Sequence, residues 1–185
     1  MTVMTITDWP EPLVIDQAPQ ELSSLEPDEA WFNKIRTHRY LLTRRWASGD
    51  PMTVIGLNPS KANALINDPT IGRVIKFARR EGCGWVRMLN IYGLKSTDPA
   101  YLREHLDPVG PCNDLILKTF AQGLVVVAWG ANPLAAARVP RIMELLAGID
   151  VVCLGVTASG APKHPLARGR ERVPDDAPLI PWRMP

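Results

Sequence analysis

The sequence predicts an α/β fold, a single three-layer domain around a central, mostly parallel four-stranded sheet. One observation is a set of continuous apolar runs, typical of strands buried on both faces of a sheet, at residues 52–57, 85–90, 124–129 and 150–154. The other is that segments with helical spacing of apolar residues separate these runs. Strands that alternate with helices form βαβ units, and their ligands bind at the carboxyl ends of the strands.

Capping signals place helices between the strands. Asp68-Pro69 and Asn132-Pro133 each combine a side chain that caps free N–H groups with a proline suited to the first helical position. Together with the apolar spacing, these signals predict helices over residues 68–82, 98–105, 115–121 and 132–147. We expect Pro140 to bend the last helix because proline lacks an N–H donor.

Charge is distributed unevenly along the 185 residues. Residues 1–30 hold seven acidic side chains and no lysine or arginine, which predicts an acidic, proline-containing flexible arm. The rest holds 21 basic and 12 acidic residues, a net charge of +9, which is compatible with a phosphate-rich partner such as DNA or a nucleotide, although many α/β enzymes have similar surfaces. We expect one α/β domain over residues 31–174, in which residues 39–46 alternate well enough for a further strand, and an extended tail over 175–185.

Several kinds of site and location are excluded. No apolar run approaches the ~18 residues that cross a bilayer and no signal-like segment opens the sequence, so we expect a cytoplasmic protein without a membrane partner. Motifs of the GxGxxG, Walker, HExxH and GxSxG types are absent. The three cysteines and three histidines are not spaced as metal ligands, so we expect no metal and no cofactor.

Asparagines follow two of the predicted strands. Asn58 and Asn90 each offer a donor and an acceptor, which suits the edge of a nucleobase or the positioning of a water molecule. The alternative for Asn58-Pro59 is a turn that merely ends the strand. Both asparagines fall on the edge of the sheet where a ligand is expected.

A basic segment follows the last predicted strand. His164 can donate a hydrogen bond to a developing anion, and Lys163, Arg168 and Arg170 can bind phosphates. The alternative is an exposed basic loop in which the histidine has no role.

Residues from about 39 to 170 resemble the bacterial and phage family known as domain of unknown function 1643. The stretches that carry this resemblance are GLNPSKANALINDPTIGR, MLNIYG, DPVGPCND, VVVAWG and PKHPL.

A remoter resemblance is to the uracil-DNA glycosylase superfamily. Its G-x-[D/N]-P loop is matched by Gly56-Leu57-Asn58-Pro59, its base-reading asparagine by Asn90, a later W-G by Trp129-Gly130, and its H-P loop by His164-Pro165. The resemblance implies a glycosylase-like fold and hydrolysis of an N-glycosidic bond, with the target base taken out of the stack.

The resemblance also implies roles for single residues. Asn58 would position the attacking water, Asn90 would read the base, and His164 would donate to the departing base. The residues expected to bind the base or substrate are Gly56, Leu57, Pro59, Ser60, Asp68 and Asn90, and those expected to bind phosphate are Lys163, Arg168 and Arg170.

This sequence departs from the superfamily pattern at three positions. Asn58 stands where the most active branch has a carboxylate, Ser60 where it has an aromatic residue, and Leu166 where a serine is usual. The alternatives to a DNA glycosylase-like hydrolase are therefore a catalytically silent nucleic-acid- or base-binding module and a hydrolase of a small nucleoside or other metabolite.

Overall fold

The structure is a computed structural model that describes residues 9–19, 26–98 and 100–185. Within these residues, the strands are β1 Leu13–Gln17, β2 Glu29–Asn33, β3 Arg39–Arg45, β4 Pro51–Gly56, β5 Trp85–Asn90, β6 Leu124–Val127, β7 Val151–Cys153 and β8 Ile180–Pro181. The α-helices are α1 Pro69–Arg80, α2 Tyr101–Glu104, α3 Asn113–Phe120 and α4 Pro133–Leu145.

All eight strands belong to one sheet in the order β1-β2-β3-β5-β4-β6-β7-β8. The central strands β5, β4, β6 and β7 are parallel, whereas β1, β2 and β3 on one side and β8 on the other run antiparallel to their neighbours. Strands β5 and β6 lie on opposite sides of β4 in the sheet. The loop after β4 leads to α1 on one face, and the loop after β6 leads to α4 on the other face. Because these two neighbouring loops diverge, a crevice opens at the carboxyl ends of β4 and β6.

The predicted fold class is wrong. The four apolar runs do form the parallel strands, but the sheet is mixed and has eight strands instead of four. A four-stranded, glycosylase-like three-layer sandwich is therefore not the architecture of this chain. The physical reason is that flanking segments with weak apolar signals pair with the exposed edges of the parallel unit and satisfy their backbone groups.

Two of these flanking segments lie in regions expected to have no such pairing. Strand β1 lies inside the predicted flexible arm and pairs with β2, which crosses the predicted boundary at residue 30. Residues 1–8 and 20–25 of that arm lie outside the described residues. In the predicted tail, β8 pairs with β7, and the following Trp182 is buried against Trp129 with ring centroids 5.2 Å apart. Pairing and aromatic burial together fix this end of the chain to the sheet.

Apolar side chains cover both faces of the sheet. On one face α1 is the only α-helix in the described core and buries Ile71, Val74 and Phe77 beside extended chain that follows β7. On the other face α3 and α4 bury a second cluster. The capping signals are confirmed at both long helices, and α4 continues through Pro140. Among the described residues, no helix is both long and apolar enough to cross a membrane.

Candidate functional site

A cavity of about 200 Å³ lies at the carboxyl ends of β4 and β5. Seven of the residues expected to form a site line it, namely Gly56, Leu57, Asn58, Ser60, Asp68, Asn90 and His164. Four others do not line it, namely Pro59, Lys163, Arg168 and Arg170. The remaining lining residues were not predicted to form a site, although Trp129 belongs to the W-G motif, and they are Arg39, Thr70, Ile71, Met88, Ser96, Thr97 and Trp129.

Asn90 is the last residue of β5 and is only 1% exposed. Neither its Oδ1 nor its Nδ2 has a hydrogen-bond partner among the described residues. Gly56, its register partner on β4, makes room for the amide, because a Cβ there would lie 2.7 Å from Met88 Cε and 3.1 Å from Asn90 Oδ1. A buried amide without partners costs about 1–3 kcal/mol per group, so this amide is suited to a ligand group that offers both an acceptor and a donor.

Asn58 has a fixed orientation. Its Nδ2 donates to the carbonyl oxygens of Pro59 at 3.1 Å and Ser96 at 2.9 Å. Since both partners are acceptors, the amide nitrogen must face them, and Oδ1 remains as an acceptor. This arrangement suits a group that orients a water molecule.

His164 lies in the loop after β7 and is half-buried. The backbone N–H of Leu166 donates to His164 Nδ1 at 3.1 Å, so the ring proton of the neutral imidazole is on Nε2. Burial lowers the pKa of His164 below its ordinary value of 6.5, although the nearby carboxylate of Asp68 opposes this shift. His164 is therefore a neutral hydrogen-bond donor at pH 7.

Asp68 serves a helix and the cavity at once. Its Oδ1 accepts from the Ile71 N–H at 2.9 Å and so caps α1, as the sequence indicated. It is also the only carboxylate among the described residues that line the cavity. Its negative charge raises the pKa of Arg39 and the pKa of His164.

Arg39 begins β3 and is 2% exposed. Its Nη1 donates to the Ala62 carbonyl at 2.7 Å, while Nε has no partner among the described residues. Burial lowers the pKa of Arg39 to about 10, with Asp68 raising it and Arg44 lowering it further. The guanidinium is therefore still charged at pH 7. The sequence alone did not mark this residue, because β3 also carries Arg44 and Arg45.

The basic residues of the predicted phosphate site occupy different places. Lys163 pairs with Glu171 at 3.2 Å. Arg168 lines a second, open groove of about 370 Å³ together with Arg73 and Arg172. Pro165, which directly follows His164 in the chain, also lines this groove. Arg170 lies outside it, in the short 3₁₀ turn Gly169–Glu171.

The described residues offer no evident place for a metal ion. They contain no group of three or more histidine, cysteine, aspartate or glutamate side chains arranged to hold one. The side chains that line the cavity offer amide, imidazole, guanidinium, hydroxyl and carboxylate groups for hydrogen bonding.

Comparison with known proteins agrees with one of the two resemblances. No curated protein and no solved structure matches the chain. A family model described as "Protein of unknown function (DUF1643)" matches residues 39–166, which is 128 of the 185 residues and includes every residue that lines the cavity. The chain therefore belongs to the DUF1643 family.

Proposed function

We propose that the cavity binds a nucleobase and that the protein hydrolyses an N-glycosidic bond in DNA or a nucleotide. The observation that carries the proposal is the buried Asn90 amide, whose free donor and acceptor match the amide-like edge of a base. The resemblance of the loop and strand-end motifs to uracil-DNA glycosylases supports the same chemistry. The proposal depends on the site and not on the fold, since one chemistry recurs on unrelated folds.

The size of the cavity favours a base alone as its occupant. Pockets for drug-sized ligands enclose about 300–1,000 Å³, whereas this one encloses about 200 Å³. A base fits such a space, and its sugar and phosphates would remain outside. In the second groove, Arg168 and Arg172 offer positive charge for those phosphates, whereas Arg73 pairs with Asp175.

The reaction follows from the donors and acceptors in the cavity. Asn58 Oδ1 accepts a hydrogen bond from water, whose oxygen forms a bond to the anomeric carbon of the sugar. The C–N bond breaks, and its electron pair leaves with the base. His164 donates through Nε2–H to an oxygen of the base as negative charge develops there, which stabilises the transition state more than the ground state. The water loses a proton to solvent, and the base gains one.

A base-binding module without catalysis is the second candidate function. Asn58 carries no charge, so it cannot offset the positive charge that develops on the sugar. Asp68, the carboxylate at the cavity, is already engaged as the cap of α1. These two observations favour binding without hydrolysis.

One assay separates the two candidates. We would incubate the protein with oligonucleotides that contain uracil, hypoxanthine or mismatched thymine and detect abasic sites by alkaline cleavage. Hydrolysis predicts abasic sites with wild type and a loss of about 10²-fold or more with His164→Ala, a typical effect of removing one transition-state donor. His105→Ala is the matched control, because His105 does not line the cavity. Oligonucleotide binding without abasic sites would support the module, and a reaction only with free nucleosides would support a metabolite hydrolase.

A further inference from the structure

Two buried arginines on β3 hold the same loop, yet only one of them is fully paired. Arg44 donates through Nε to Asn67 Oδ1 at 2.6 Å and through Nη1 to the Thr43 carbonyl at 2.6 Å. Its Nη2 donates to the carbonyls of Asn63 and Ile66. Every nitrogen of Arg44 is therefore satisfied by the protein, and its role is to hold the loop.

Arg39 makes only one such bond, to the Ala62 carbonyl. Its Nε is buried without a partner, and no hydrogen bond or ion pair joins it to Asp68 within the described residues. It lines the cavity, whereas Arg44 does not. Holding the loop therefore does not account for a second buried guanidinium, since burying a charge is costly unless hydrogen bonds compensate for it.

Arg39 is the one lysine or arginine among the described residues that line the cavity. Among the described lining residues, Arg39 alone carries a permanent positive charge, and His164 is neutral at pH 7. A guanidinium presents five N–H donors and pairs best with anionic oxygens. Asn90, in the same small cavity, requires a group with both a donor and an acceptor.

We propose that Arg39 forms an anion subsite in this cavity and that the preferred ligand is a nucleobase in its anionic form. The inference rests on the proposed function, and it names the species that the cavity holds most tightly. When the C–N bond breaks, its electron pair passes to the base, whose ring nitrogen and exocyclic carbonyl oxygens share the negative charge. Arg39 then donates to an anionic oxygen and Asn90 reads the amide edge, while His164 contributes a neutral donor. The base subsequently takes a proton from solvent and leaves.

Binding of free bases tests this subsite without any turnover. We would measure affinities at pH 8 by calorimetry for two pairs of probes that share a ring system and differ in one substituent. 5-Nitrouracil is anionic at this pH and thymine is neutral; xanthine is largely anionic and hypoxanthine largely neutral. We expect wild type to bind the anionic member of at least one pair about tenfold or more tightly than the neutral member, the scale of one hydrogen bond between charged groups.

Three variants assign that preference to Arg39. Arg39→Gln should abolish the preference for the anionic probe. Arg39→Lys keeps the positive charge and should retain part of this preference, which would show that the loss in Arg39→Gln is not caused by misfolding. Arg44→Gln is the matched control on the same strand, and it should keep the preference. Equal binding of both members by wild type, no binding of any probe, or a preference that survives in Arg39→Gln would overturn the subsite.

The outcome is distinguishable from that of the proposed function. Abasic sites without an anion preference would leave glycosidic hydrolysis standing and remove the subsite. An anion preference without abasic sites would leave the subsite standing in a binding module.

Discussion

The buried side chain of Asn90 lowers the stability of the protein, and we propose that it binds the base. Because its buried amide has no partner among the described residues, Asn90→Leu should raise the free energy of unfolding by about 1 kcal/mol and abolish base binding. Asn33→Leu is the matched control, since Asn33 is 6% exposed, donates to Thr37 Oγ1 and accepts from the His38 N–H. That variant should instead lose stability. Denaturant unfolding of both variants measures the difference, and destabilisation by Asn90→Leu would contradict the interpretation of its amide.

His164 should titrate below the ordinary histidine value of 6.5, because burial disfavours the imidazolium. Asp68→Asn removes the carboxylate that raises this pKa, so the titration should move to still lower pH. At a pH between the lowered pKa of His164 in the folded protein and its ordinary pKa in the unfolded chain, the unfolded chain binds more protons than the folded protein does. His164 therefore makes stability rise with pH through that window and is without further effect above about pH 6.5. NMR titration of the His164 ring measures the shift, and a value above 6.5 would refute it.

Single polar residues were predictable where they end an apolar strand. Asn58 and Asn90 end or follow parallel strands whose carboxyl ends meet at one edge, and His164 lies in the loop after β7; the structure brings all three to one cavity. Their roles remain predictions. Arg39 is not predictable in this way, because its burial depends on the pairing of β3 with β5 and on the loop that carries Ala62. Such long-range contacts leave little local signal.

The N-terminus of α1 links helix stability to the cavity. Asp68→Ala should destabilise the protein by about 1 kcal/mol, because it removes the bond to the Ile71 N–H. Asp68→Asn should cost only about a few tenths of that, because asparagine caps helices as well as aspartate does. Thermal unfolding of the two variants tests the cap separately from the charge, and equal losses in both would show that the charge dominates.

The strands of the sheet differ in how far the sequence predicted them. The runs that became β4, β5, β6 and β7 are apolar because helices and extended chain cover both of their faces. In contrast, β1 has four partly buried residues and one exposed residue, and both residues of β8 are exposed, so neither strand shows a strong apolar pattern. Edge strands of this kind form because a neighbouring strand offers backbone partners, and a local pattern does not encode that neighbour.

If the arginines of the second groove contact phosphates, the affinity for DNA should fall as the salt concentration rises. Each phosphate contact lowers the slope of log affinity against log salt by about 0.9 for duplex and about 0.7 for single strands. Replacing Arg168 and Arg172 together by alanine should therefore flatten the slope by about 1.4–1.8. Arg170→Ala is the control outside the groove. Titration of a labelled oligonucleotide at several salt concentrations measures the slopes, and an unchanged slope in the double variant would place the phosphates elsewhere.

The walls of the cavity come from positions between 39 and 164, so a denatured chain has no equivalent of it. A compound that binds there stabilises the native state by thermodynamic linkage, by about 2.7 kcal/mol at a concentration of 100 Kd. For a chain of this length, that amounts to a rise in Tm of roughly 5–10 °C. Melting curves recorded against a collection of bases, nucleosides and nucleotides would therefore identify the natural ligand before its reaction is known.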